Sequence, residues 1–208
     1  MGKRVYLVTR DLHFYAGLFL SPFVLVFAVS VFYLVHVWLP ERAAASPARV
    51  VADLPVTDEV ERLTGREQVN ALHPVLERMG VNGEVGFVRR IVKEHRLVLV
   101  VSVPGRETTV DLDVAARTGK VSERRTGIAD AMVFLHKMPG PHNVNIRANS
   151  PYMRVWRTLA DVSAYGLLFL TLSGLYLWAM LRAERSIGIV LLSLGGVSFF
   201  GLIYAISH

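Results

Sequence analysis

The sequence predicts an α-helical membrane protein with three transmembrane helices and a small external α+β domain inserted between the first and second helices. Three long apolar stretches favour the membrane helices. The segment between the first two stretches carries helical and strand periodicities typical of a small polar domain. Hydrophobic residues make up 52% of the 208 residues, a share that fits membrane spans combined with one such domain.

The first apolar stretch, residues 12–39, contains no formally charged residue. Its 28 residues would form about 42 Å of helix, which exceeds the ~30 Å hydrocarbon core of a bilayer. Lys3, Arg4 and Arg10 precede the stretch, so the positive-inside rule predicts a cytoplasmic N-terminus. A secretory signal peptide has an apolar region of only about 7–15 residues, and we therefore interpret the segment as an uncleaved anchor.

A helix is predicted over residues 65–79 of the external segment. Thr64 and Glu67 match a capping box, apolar residues then recur at spacings of three and four, and Gly80 stands where a helix ends. Pro74 lies inside this stretch and predicts a kink or an early break of the helix.

Valine-rich strands are predicted after this helix. Residues 84–93, 96–104 and 107–113 combine β-branched residues with flanking turn signals, and residues 117–120 predict a tight turn into a fourth strand from Val121. One helix and three or four antiparallel strands make a unit of about 65–70 residues with a thin core. We therefore expect this unit to be stabilised by packing against the membrane or against a partner.

These patterns divide the chain into eight segments. Small residues in the spans, among them Gly17 and Ser21, predict faces where helices pack closely. The segments are a cytoplasmic leader (1–11), a first transmembrane helix (12–39), a linker (40–56), an α+β domain (57–126), an amphipathic segment and loop (127–157), a second transmembrane helix (158–181), a cytoplasmic turn (182–186) and a third transmembrane helix (187–206).

Composition excludes several kinds of chemistry and partner. The chain has no cysteine, so it cannot itself form a disulfide, a thiolate nucleophile or an iron–sulfur cluster. The net charge of +6 comes from basic residues scattered among acidic ones in a membrane-anchored chain. This pattern favours contact with the lipid bilayer, and we predict no nucleic-acid partner.

Short motifs follow one another in a particular order along the chain: Arg10-x-x-His13, Gly17-Leu18, Thr109–Lys120 (TVDLDVAARTGK), Leu135-His136 and Ser173–Trp178 (SGLYLW). In this order they resemble the PepSY-associated transmembrane proteins, and the resemblance covers nearly the whole chain. The strand that ends in TGK is similar to the end of a PepSY domain.

The resemblance implies a bacterial inner-membrane protein with a cytoplasmic N-terminus and a periplasmic PepSY-like domain within residues 40–157. Larger relatives include ferric-siderophore reductases that carry b-type haem between membrane helices. Those larger forms have at least four spans, whereas this chain has three predicted spans and one PepSY-like unit.

Histidines are the candidate ligands of a haem b, which needs one or two axial imidazoles in a helix-lined pocket. The candidates are His13, His36 and His136. His13 and His36 would lie about 34 Å apart along one helix, so they cannot bind the same iron. His136 or His142 would meet His36 once the external domain folds back. At His13, a second histidine would have to come from another subunit, or the site would use another kind of ligand. The alternative is that each histidine is a capping, interfacial or amphipathic-surface residue.

Other polar residues give weaker signals. Asp161 lies inside the second predicted span, where an ionisable residue suggests a proton or ligand role. Arg157 precedes it by four residues, and an ion pair between the two is the simpler interpretation. No nucleophile motif frames a serine, histidine or aspartate, so we predict no catalytic residue and no metal site.

Three hypotheses follow. The first is a non-catalytic PepSY-type anchor or accessory subunit that binds another membrane or periplasmic protein within a larger complex. The second is a b-haem electron carrier that passes electrons outward from a quinol or a cytoplasmic donor through His13 and His36. The third is a regulator of a periplasmic peptidase, because PepSY domains also occur in protease propeptides.

Overall fold

The computed structural model describes residues 2–36, 44–138, 143–181 and 185–207. Its helices are α1 (Gly2–His36), α2 (Gly65–Arg78), α3 (Gly127–Lys137), α4 (Pro151–Met180) and α5 (Arg185–Ser207). Its strands are β1 (Arg49–Val51), β2 (Glu84–Ile91), β3 (Arg96–Val103), β4 (Arg106–Asp113) and β5 (Thr118–Arg125). The chain divides into two compact units, one of Met1–Pro22 with Val162–His208 and the other of Phe23–Asp161.

Three helices in the described residues, α1, α4 and α5, are long and apolar enough to cross a membrane. At this level the three-helix prediction is confirmed. The helices extend beyond the predicted spans, because α1 includes residues predicted as a leader and α4 begins at Pro151 rather than at residue 158. Ser150 caps α4 by accepting the Met153 N–H, and proline is favoured at the first helical position.

Small residues allow α1 and α4 to pack closely in the first unit. The Leu20 side chain is 2% exposed and occupies the position where a Cβ on Gly166 would lie. A Cβ on Gly17 would lie 3.9 Å from Leu170 Cδ2, so α4 is the helix that approaches the predicted notch at Gly17. Ser21 instead donates a hydrogen bond to the carbonyl of Leu18 in its own helix.

The second unit contains a five-stranded antiparallel sheet of order β1-β5-β4-β3-β2. Strands β2 to β5 confirm the predicted run of strands to within a few residues. Strand β1 lies within the stretch that we predicted as a linker. Its three residues pair with β5 about 70 positions away, and this pairing depends on a non-local contact that local composition does not reveal.

One face of the sheet is covered by α2. Alternate residues of β3, Leu97, Leu99 and Val101, are at most 1% exposed and point to this face. The buried α2 residues Val69, Leu72, Val75, Leu76 and Met79 complete the core.

Helix α2 confirms the predicted helix and corrects two of its details. Pro74 lies inside the helix, which continues to Arg78, so of the predicted kink or early break the break does not occur. Thr64 is the N-cap residue with an extended backbone, but its side chain makes no capping hydrogen bond. Gly80 ends the helix as predicted: its φ is +66°, and the Val81 N–H bonds to the Leu76 carbonyl.

Gly119 lies in β5 and not in a turn as predicted. The turn occupies residues 114–117, where Arg117 adopts a φ of +51°. Gly119 is buried, and a Cβ there would overlap the Met79 side chain and lie 3.1 Å from Leu54 Cδ1. The glycine is therefore needed for the close approach of α2 to the sheet.

On the opposite face of the sheet, Arg96 at the start of β3 forms ion pairs with Asp111 of β4 and with Glu94, which precedes β3. Arg96 Nε lies 3.0 Å from Asp111 Oδ1, and Arg96 Nη1 lies 2.8 Å from Glu94 Oε2. Hydrogen bonds with Asp111 and then Glu94 raise the pKa of Arg96 above its usual value.

Two side chains join the sheet to the start of α4. Glu84 is 4% exposed, and its carboxylate accepts the backbone N–H groups of Asn149 at 3.1 Å and Ser150 at 2.8 Å. The Asn149 amide accepts the Val85 N–H at 3.0 Å and donates to the Val85 carbonyl at 2.9 Å. We call this set of contacts the Glu84–Asn149 junction.

We expect Gly119→Ala to lower the free energy of opening of β4 and β5 by about 1–3 kcal/mol, because the added methyl group would overlap Met79. Hydrogen exchange of the full chain in detergent would measure this loss as faster exchange of the β4 and β5 amides. Gly86→Ala is the matched control, since a Cβ there meets only the Val100 carbonyl at 3.6 Å. Equal protection in the two variants would contradict the close approach.

Candidate functional site

His13 contacts α4 inside the first unit. Its Nδ1 lies 2.8 Å from Ser173 Oγ. A Cβ on the neighbouring Gly174 would lie 3.4 Å from His13 Cε1, so the glycine lets the helix backbone lie close to the imidazole ring. Ser173 Oγ in turn donates a hydrogen bond to the Phe169 carbonyl at 2.6 Å.

These bonds favour one tautomer of a neutral His13. A serine hydroxyl has one proton, and Ser173 Oγ lies within hydrogen-bond distance of the Phe169 carbonyl, which can only accept. We therefore expect the hydroxyl oxygen to accept from His13, with the proton of the neutral ring on Nδ1. The lone pair of His13 then resides on Nε2.

His136 makes an equivalent contact in the second unit. Its Nδ1 lies 2.7 Å from Ser30 Oγ, which is fully buried and donates to the Phe27 carbonyl at 2.7 Å. The Phe27 ring meets the imidazole edge-on, with 5.5 Å between ring centroids. By the same argument, we expect neutral His136 to carry its proton on Nδ1 and its lone pair on Nε2.

Trp156 of α4 fixes the end of α3 that carries His136. Its indole N–H is shared between the carbonyls of Leu135 at 2.9 Å and Met138 at 3.1 Å. Its ring also lies 6.0 Å from the Phe27 ring of α1. The indole therefore holds the residues on both sides of His136, and His136 is positioned by two neighbouring helices.

His36 is placed differently from the other two candidate ligands. It is exposed at the end of α1, where its Nδ1 lies 3.2 Å from the Phe32 carbonyl and its ring stacks on Phe32. Ser30 precedes it by six residues, or about 9 Å along the helix. The structure thus brings His136 to Ser30 rather than to His36. His142 lies outside the described residues.

Arg157 and Asp161 are one turn apart in α4, and both are exposed. The ion pairs formed by the described residues include neither side chain, so the predicted pair is not formed. In the described part of the chain, no group of three or more histidine, cysteine, aspartate or glutamate side chains is arranged to hold a metal ion.

A cavity of about 720 Å³ lies beside His136 and was not predicted from the sequence. Its apolar wall comes from four separate segments and includes Phe87, Val100, Phe134 and Ile146. Because these residues are far apart in sequence, no local motif marks the cavity.

Comparisons with protein-family models, with curated proteins and with solved structures find no match for this chain. The PepSY resemblance therefore stays a prediction, and the function has to be argued from the geometry of the helices and of the two histidine–serine pairs.

We expect neutral His13 and His136 to be protonated at Nδ1, which is the less common tautomer of a free imidazole. Nitrogen NMR of the full chain labelled with ¹⁵N-histidine would detect this protonation state. Ser30→Ala removes the acceptor and should shift His136 alone towards the Nε2–H tautomer, whereas Ser173→Ala should shift His13 alone. Each variant is the control for the other. Nε2–H tautomers in the unmodified chain would contradict the assignment.

Proposed function

We propose that this chain is a non-catalytic PepSY-type anchor or accessory subunit of a bacterial inner-membrane complex, and that it binds another membrane protein. In this proposal the N-terminus is cytoplasmic and residues 40–157 are periplasmic. The order of a membrane-length helix, an α+β unit and two further membrane-length helices supports it. The observation that carries it is the exposed surface of α5.

Helix α5 makes little contact with the rest of the described chain. None of its described residues is buried, and a Cβ on Gly195, Gly196 or Gly201 would meet no atom within 4 Å. Its clearest contact is near its start, where Gly188 lies against Trp178 of α4.

Small residues of α5 form one exposed face. Ser198, Gly201 and Ala205 follow Leu194 at spacings of four, three and four, which place all four residues on the same side of the helix. In membranes, small residues are enriched at helix–helix contacts, because they let the two backbones approach closely and pack against each other. We define Ser198, Gly201 and Ala205 as the α5 small-residue face, which Leu194 precedes by one turn, and propose this side of the helix as the contact with the partner.

We expect Gly201→Leu to abolish binding of this partner, because the leucine side chain would separate the two backbones. A photo-crosslinking amino acid in place of Leu194 should give one discrete product in native membranes, and Gly201→Leu should remove that product. Gly196→Leu is the matched control: it is the same change in the same helix, but it points about 140° away from Gly201.

Two results would contradict the accessory function. One is the absence of any product with a second protein. The other is a product made only of two copies of this chain, which would make the small-residue face a self-association surface.

A second candidate function is b-haem electron transfer, and the histidine tautomers favour it. A metal-binding imidazole commonly donates its other ring N–H to a neighbouring acceptor. In the expected tautomers, His13 and His136 would each donate Nδ1–H to a serine and keep the Nε2 lone pair for a ligand. A b-type haem would supply a one-electron redox centre, and a quinol or a partner haem would be its electron donor.

Among the described residues, the histidines supply only one axial haem ligand at His13 and one at His136. His13 is the only histidine among the described residues of the first unit. In the second unit His136 pairs with Ser30, and His36 lies about 9 Å further along α1. A second ligand for either histidine would therefore come from a partner chain.

For this second function, a reduced-minus-oxidised visible spectrum of the purified chain should show a b-type signal. His13→Ala and His136→Ala should each lower the haem content by about half, since each removes one axial ligand. His95→Ala is the control, because His95 is exposed and pairs with Glu61 at 3.2 Å in the sheet domain. A flat spectrum from cells able to make haem would contradict electron transfer by this chain alone.

A further inference from the structure

The cavity beside His136 combines an apolar wall with two cationic side chains. Its volume of about 720 Å³ lies within the range of about 300–1,000 Å³ that is common for small-molecule sites. Phe87, Phe134 and Ile146 supply apolar surface, while Lys137 and Arg147 supply positive charge. We propose that the cavity binds an anionic membrane lipid, with the acidic head group at Lys137 and Arg147 and part of an acyl chain on the apolar wall.

The two carboxylates that line the cavity, those of Glu84 and Glu107, already accept hydrogen bonds from other groups of the protein. Glu84 accepts the backbone N–H groups of Asn149 and Ser150 in the Glu84–Asn149 junction. Glu107 accepts a hydrogen bond from Arg124 across the β4–β5 pair. Among the described residues, neither of these two acidic side chains forms an ion pair with Lys137 or Arg147.

Lys137 and Arg147 have no such partners. Within the described residues, neither side chain forms an ion pair or a hydrogen bond. The backbone carbonyl of Arg147 is held by Arg66, which fixes the main chain and leaves the guanidinium available. Two unpaired cations on an apolar cavity are complementary to an acidic head group attached to a hydrocarbon chain.

The surroundings of the cavity favour a lipid over a soluble anion. His136 lines the cavity and also contacts Ser30 and Phe27 of α1, a helix long and apolar enough to cross a membrane. The cavity is therefore adjacent to a helix that lies in lipid in the proposed topology. Basic residues beside membrane helices attract anionic lipids by about 1 kcal/mol per charge near the surface. This inference rests on the proposed membrane topology, but on neither the proposed partner nor a haem.

Native mass spectrometry of the full chain would test the proposal. The chain would be transferred from neutral detergent that contains equal amounts of phosphatidylglycerol and phosphatidylcholine with identical acyl chains. We expect one phosphatidylglycerol to be retained, with a preference over phosphatidylcholine of about 30-fold from the two cations together. The double variant K137Q/R147Q should weaken retention of phosphatidylglycerol by about 30-fold, because it removes both cations.

The double variant R78Q/R89Q is the matched control. It removes the same number of cations, but from exposed positions on α2 and β2 that do not line the cavity. Its retention of phosphatidylglycerol should equal that of the unmodified chain. An equal loss in both double variants would show a general charge effect and overturn the site.

Competition experiments distinguish the other occupants. Retention of phosphatidylglycerol should persist in excess inorganic phosphate and in an excess of a soluble hexaglutamate peptide. Displacement by phosphate would assign the cavity to a free anion, and displacement by the peptide would assign it to an acidic protein segment. Either result would overturn the lipid proposal, as would equal retention of the two lipids.

Discussion

The Glu84–Asn149 junction is the contact on which the arrangement of the second unit depends. A buried carboxylate is stable only when donors replace its water, and here the donors are the N–H groups just before α4. The positive end of the helix macrodipole favours the same charge. The Asn149 amide also pairs with the Val85 backbone as an adjacent strand would, which satisfies part of the edge of the sheet. The sheet and the start of α4 are thereby held in one geometry.

Two serines give the histidines their chemical character by the same physical rule. Each hydroxyl lies within hydrogen-bond distance of a carbonyl of its own helix, which favours donation to that carbonyl and acceptance from the imidazole. We therefore expect both neutral rings to keep a lone pair on Nε2, which is the nitrogen that a metal or a proton would use. This property does not require a haem, and it is equally compatible with a subunit in which the rings only join helices.

The predictability of each element follows from the range of the interactions that form it. Gly80 was predictable because a left-handed helix end needs only the local backbone, whereas Gly119 was misassigned because its role depends on Met79. Strand β1 was missed since three residues have little periodicity and gain their hydrogen bonds from β5. The start of α4 does have a local signal, because Ser150 is a capping residue and Pro151 follows it. The predicted span begins later, at residue 158, because the predominantly apolar stretch begins there.

The sequence by itself determined the three membrane-length helices and the strands between the first two. Length, hydropathy and alternation are properties of neighbouring residues, so they can be recognised without knowledge of the fold. The tertiary structure alone decided which side chains meet: His13 with Ser173, His136 with Ser30, and two cations on one apolar cavity. His13 and Ser173 are 160 positions apart in the sequence, and Ser30 and His136 are 106 positions apart. Only the packing of the helices brings the members of each pair together.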